Sequence, residues 1–122
     1  MAKKKLAALS PAETEVLRIV WQLGKGTVQE VAGELPDKRK ITYATVQTLL
    51  RRLENKGYLK HNNRGKAHVF SAAVRSEEVI QRTVRDFLDR LFGGDPIPLI
   101  QYLAEHGDIG KADIERLKKL TK

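Results

Sequence analysis

One short signal occurs twice near the start of this chain and limits what can follow it. In "LSPAETEVLRIVWQLG", Ser10 stands before Pro11 and three residues ahead of Glu13; in "GTVQEVAGELP", Thr27 stands three residues ahead of Glu30. A hydroxyl followed at that spacing by a glutamate is a reciprocal cap, and proline is at home in a first helical turn. Each signal therefore predicts a helix start. After Ser10, Val16, Leu17, Val20 and Leu23 recur at helical spacing, Ile19 and Trp21 widen the stripe, and Gly24 and Gly26 stop it. After Thr27, Val28, Val31, Ala32 and Leu35 form a narrower apolar side that Pro36 ends. The charged run "DKRK" at 37–40 reads as a turn.

A third helix is predicted over 43–56, with Thr42 as N-cap and Gly57 as left-handed stop. With Val46 at zero and 100° per residue, Leu49, Leu50 and Leu53 fall within about 60° of it and form the buried stripe. Ala44, Thr48, Arg51 and Asn55 fall near the opposite pole, with Thr45 and Arg52 on one flank and Gln47 on the other. That outer face offers what base edges accept: arginine for guanine, glutamine for adenine, and methyl groups for thymine. Beyond Gly57, "YLKHNNRGKAHVFSAAV" carries two short alternating runs around a polar centre, which predicts a two-stranded hairpin with a basic tip.

Three helices followed by a basic hairpin within about 75 residues is the order of a winged helix-turn-helix. Charge follows the same plan. Residues 1–75 hold 15 Lys and Arg against 6 Asp and Glu, while residues 76–122 hold 8 against 9. The excess concentrates in 36–66, with 9 basic and 2 acidic residues. Double-stranded DNA is thus the expected partner. Thr42, Tyr43, Ala44, Thr45, Gln47, Thr48, Arg51 and Arg52 are the candidate contacts of the third helix. Lys38, Arg39 and Lys40 before it, and Lys60, Arg64 and Lys66 in the hairpin, are candidate phosphate contacts. A non-specific architectural DNA binder and a winged-helix protein-interaction adaptor stay open as alternatives.

The remaining chain predicts three more helices. "SEEVIQRTVRDFLDRLFGG" has acids in its first turn and ends at Gly93-Gly94; "DPIPLIQYLAEHG" has Asp95 as cap and Pro96 in first position; "GKADIERLKKL" follows. The fold class is mainly α with a small β-hairpin. Residues 1–75 form the DNA-binding domain and 76–122 a helical dimerisation domain. Three helices in so short a tail bury too little apolar surface to stand alone. Phe87, Leu88, Leu91, Phe92, Ile97, Leu99, Ile100 and Leu103 therefore predict a two-fold homodimer.

The pieces "LSPAETEVLRIVWQLG", "VQEVAGEL", "YATVQTLLRRLENKGYLKH" and "RGKAHVFSAAV" are similar to the penicillinase-repressor family of beta-lactam-resistance and copper-responsive regulators. The similarity rests chiefly on Glu13, Glu15, Val16 and Trp21 in one pattern and on Thr45 to Gly57 in another. It implies a homodimeric repressor on a pseudo-palindromic operator, with Thr45, Gln47, Thr48 and Arg52 on or beside the DNA-facing helix. It also implies a regulatory protease, the comparable bond lying between Gln101 and Tyr102, where the family has asparagine ahead of the cut. Ala44 stands where the family would have lysine or threonine.

Other chemistries have little to work with. There is no cysteine, which fits a reducing cytoplasm and removes thiolate sites, including the cysteine hook of copper-responsive relatives. No apolar run approaches a membrane span, and "MAKKKLAALSP" has no signal-peptide pattern. His61 and His68 fall on opposite strands of the hairpin and could face each other, but no carboxylate lies beside them, so no metal is expected. Neither a phosphate-cradling glycine loop nor a metalloprotease or serine-hydrolase motif occurs. Neither an enzyme nor a cofactor is expected.

Overall fold

The computed structural model describes residues 6–36 and 42–121. Its elements run α1 (Pro11–Leu23), β1 (Lys25–Thr27), α2 (Val28–Gly33), α3 (Tyr43–Asn55), β2 (Leu59–Arg64), β3 (Ala67–Ala72), α4 (Ser76–Phe92), α5 (Ile97–Glu105) and α6 (Lys111–Leu120). They form two compact units, Met1–Val79 and Ile80–Lys122. The dividing line falls inside α4 because Val79 is buried in the core of the first unit.

Both reciprocal caps form. Ser10 Oγ accepts from the Glu13 amide at 3.1 Å, and Glu13 Oε1 accepts from the Ser10 amide at 2.8 Å. Thr27 and Glu30 repeat this at 3.1 and 2.9 Å. Thr42 Oγ1 caps α3 by accepting from the Thr45 amide at 3.2 Å. These bonds satisfy amides that a helix start leaves without partners. At the far end of α3, Gly57 takes φ +92°. Its amide reaches the Glu54 carbonyl at 3.0 Å, and the Tyr58 amide reaches the Leu53 carbonyl at 2.9 Å. This is a Schellman closure, whose left-handed residue is best filled without a Cβ.

The core of the first unit follows the predicted stripes except at Leu23, which stands exposed at the end of α1. Val16, Leu17 and Val20 of α1, Val28 and Val31 of α2, and Val46, Leu49, Leu50 and Leu53 of α3 are buried together, with Tyr58, Leu59 and Phe70 closing the sheet side. Trp21 packs partly buried against this cluster. Its indole N–H is buried without a hydrogen-bond partner among the described residues.

The hairpin forms, but it belongs to a three-stranded antiparallel sheet in the order β1-β3-β2. The added strand is Lys25–Thr27, paired Lys25 to Ser71, Gly26 to Phe70 and Thr27 to Val69. Gly26, read as part of a helix stop, is thus a strand residue. A Cβ there would lie 3.1 Å from Leu23 Cδ1 and 3.4 Å from Val31 Cγ2, so the strand runs close between α1 and α2 because this position has no side chain. The second helix ends at Gly33, short of the expected stop at Pro36.

In the second unit, α5 starts at Ile97, one residue after the expected first position at Pro96, although Asp95 Oδ1 still accepts from the Ile97 amide at 3.0 Å. Neither α5 nor α6 has a buried residue. Phe87, Leu91, Ile97, Ile100, Tyr102, Ile114, Leu117 and Leu120 are exposed. Leu88, expected on the dimer face, is buried within the chain, and Phe92, Leu99 and Leu103 are half-buried. No helix among the described residues is long and apolar enough to cross a membrane.

Candidate nucleic-acid interface

The outer face of α3 is presented as the helical spacing requires. Thr42, Tyr43, Ala44, Thr45, Thr48, Arg51 and Arg52 are exposed, and Gln47 is half-buried on the flank. Ala44, Thr45, Thr48, Leu49 and Arg52 line a shallow, open depression. Among the described residues no carboxylate pairs with Arg51 or Arg52. Both guanidiniums therefore stand in solvent with their donors available for planar, two-point acceptors.

The hydroxyls on this face are partly committed. Thr48 Oγ1 donates to the Ala44 carbonyl at 3.0 Å, and Thr42 and Thr45 share a hydrogen bond between their hydroxyl oxygens at 3.0 Å. A threonine that donates backward along its own helix has spent its one proton. What Thr48 still offers outward is a methyl group and an acceptor lone pair. With the Ala44 methyl beside it, the depression has more apolar character than its sequence suggests.

The hairpin supplies the second set of groups. In β2 the side chains alternate, so Lys60 and Arg64 share one face of the strand while Leu59 and His61 share the other. Lys60, Arg64 and Lys66 are all exposed, the last in the two-residue turn between β2 and β3. Lys38, Arg39 and Lys40 lie outside the described residues.

Two side-chain constellations were not evident from the spacing. The first joins the two patterns that carry the family resemblance. Glu13 is only 2% exposed, and its carboxylate meets Lys56 Nζ at 2.6 Å; the same ammonium donates to the Ala8 carbonyl at 2.9 Å. Burial pushes the Glu13 carboxyl up. Hydrogen bonds from Lys56, from the Ser10 amide and from the Ser10 hydroxyl, together with the Lys56 charge, outweigh that and leave it below the ordinary carboxylate value. The Tyr58 hydroxyl donates to the Ala7 carbonyl. The segment ahead of α1 is thereby pinned to the end of α3.

The second lies at the base of the hairpin. His61 and His68 do face each other, with ring centroids 4.3 Å apart and planes 11° from parallel. The expectation that no carboxylate lies beside them is overturned: Glu54 Oε2 sits 2.5 Å from His61 Nδ1. Glu54 is seven residues away in sequence, but the close of α3 turns the chain back so that helix and strand meet. Among the described residues no group of three metal-ligating side chains gathers.

A family model described as Penicillinase repressor matches residues 9–122. The penicillinase repressor of Staphylococcus aureus is 26% identical over 120 residues, covering 98% of this chain and 94% of its own. That of Bacillus licheniformis is 27% identical, covering 96% and 91%. Among solved structures, the DNA-binding domain of the repressor BlaI superposes with a TM-score of 0.54 at 32% identity, over 62% of this chain and 92% of that one. The Bacillus licheniformis BlaI monomeric form in complex with the blaP half-operator gives 0.51 at 31% identity, over 61% and 90%. The match extends through both compact units, and the solved domains share the helices and small sheet that carry the exposed face of α3, so this chain belongs to the penicillinase repressor family.

Proposed function

We propose that the chain is a sequence-specific DNA-binding transcriptional repressor that acts in the cytoplasm as a homodimer on a pseudo-palindromic operator. The observation that carries this reading is the outer face of α3. It is a full helix with a buried leucine-and-valine side and an exposed side of small residues, methyls and two arginines that no carboxylate pairs among the described residues. In this reading α3 enters the major groove. Arg52 and Gln47 contact base edges, Thr45 and Thr48 contact thymine methyls, and Arg51, Lys60, Arg64 and Lys66 hold phosphates. The half-operator complex of the Bacillus licheniformis relative supports the mode of binding.

The second unit makes the dimer. Its exposed Phe87, Leu91, Ile97 and Ile100 form an apolar surface that water disfavours. Pairing two such tails sets two reading helices about one DNA turn, ~34–36 Å, or a multiple of it apart. Release by proteolysis fits the same arrangement: Gln101 and Tyr102 are exposed on α5, a short helix without buried residues that opens at small cost.

Selecting bound fragments from genomic DNA of the source organism tests the proposal. A recurring inverted repeat is the expected result. Uniform recovery of all fragments would establish an architectural binder instead, and no retention at low salt would establish an adaptor.

A further inference from the structure

We infer that Glu54 and His61 act as a positioning pair that sets the angle of the basic hairpin against the reading helix, so that Arg64 and Lys66 reach phosphate only while the pair is intact. The inference rests on the DNA-binding reading above and adds residues that themselves touch no nucleic acid.

Leu59 and Phe70 are buried against the helices, but from Asn62 to His68 every residue is exposed, so this outer part of the hairpin extends beyond the core. An exposed two-stranded ribbon is only marginally held by its own ladder. At the boundary stands His61. It is opposite Phe70 in the sheet register, with ring centroids 5.7 Å apart. On its outer side it stacks on His68, and through Nδ1 it meets the Glu54 carboxylate at 2.5 Å. Glu54 lies in the last turn of α3, four residues from Leu50 and two from Arg52. The chain Glu54–His61–His68 thus ties the reading helix directly to the strands that carry the hairpin cations.

An acidic residue in a DNA-binding unit otherwise opposes the polyanion, so charge alone and positioning predict opposite signs. Removing Glu54 by charge alone raises the net charge by one and tightens DNA. If Glu54 positions the hairpin, its removal weakens DNA. Both side chains are about a third exposed, so the pair adds little to folding stability, and binding can be measured on folded variants.

The experiment measures binding of the full-length protein to a fixed random-sequence duplex across a range of salt concentrations, with melting midpoints recorded alongside. Glu54→Ala and His61→Ala should each weaken binding about sixtyfold near 0.1 M salt, the value of the two phosphate contacts of Arg64 and Lys66, and flatten the salt slope by about 1.8. The double variant should be no weaker than either single one. Glu54→Gln, which keeps an acceptor oxygen for His61, should recover part of the loss. Tighter or unchanged binding by Glu54→Ala, or additive losses in the double variant, would overturn the inference. A wild-type protein that ignores duplex DNA would refute the underlying reading along with it, whereas failure to find an operator would leave this result standing on its own.

Discussion

Replacing Lys56 with methionine keeps most of the side chain's bulk and removes its charge, leaving the Glu13 carboxylate without its cationic partner. The Glu13 side chain is 3% exposed and that of Lys56 29%. Breaking a fully buried ion pair from one side costs about 3–5 kcal/mol; partial hydration of Lys56 lowers this to about 2–3 kcal/mol. A unit of roughly 80 residues shifts its melting midpoint by about 4–8 °C per kcal/mol, so the variant should melt about 8–24 °C lower at neutral pH. The pH dependence makes the reasoning specific. In the wild type the Glu13 carboxyl is held below its ordinary value of 4.5. Its contribution is therefore complete above that value and disappears as pH falls through the lower folded-state value. In Lys56→Met the same burial opposes ionisation with only the Ser10 contacts against it, so acidification relieves the variant while it weakens the wild type. The gap between them should shrink steadily from pH 7 to about pH 3 in thermal melts followed by circular dichroism at one protein concentration. A gap that stays constant over that range would show that Lys56 acts by packing alone and would refute the electrostatic account.

Because the Thr48 hydroxyl donates to the Ala44 carbonyl, Thr48→Val should keep operator affinity within about threefold, while Thr48→Ser, which loses the outward methyl, should cost about 1 kcal/mol; titrations against operator and against the same duplex with uracil for thymine would check both. Leu91 is 64% exposed, so Leu91→Glu should shift the protein toward monomer in sedimentation and weaken a full operator far more than a half-operator. Equal losses on the two duplexes would argue against a tail that pairs the reading heads.

What could be read from the sequence was whatever depends on near neighbours. The caps at Ser10, Thr27 and Thr42 need a partner three residues on, and all three form. The buried stripe of α3 follows from helical geometry, and Val46, Leu49, Leu50 and Leu53 are buried as that geometry requires. The features that escaped depend on long-range meetings. Lys25–Thr27 has no alternating pattern of its own and is a strand because β3, more than forty residues later, offers it an edge. Glu13 reads as a cap residue, and its partner lies 43 residues away. The spacing of His61 and His68 allowed them to face each other, but Glu54 entered only when the turn at Gly57 folded strand onto helix. At the candidate interface, exposure of the α3 cations was legible, whereas the backward hydrogen bond that turns Thr48 into an apolar contact was not.

Trp21 is the sole tryptophan of the chain, and it lies half-buried in the first unit with its indole N–H unpaired among the described residues. Intrinsic fluorescence excited at the indole band therefore watches the winged head and nothing in the tail. Unfolding of the head would change that emission, whatever the state of the proposed dimer. The molecule thus carries a built-in optical reporter of the fold of its head, without a label, to set beside any separate measurement of the proposed assembly.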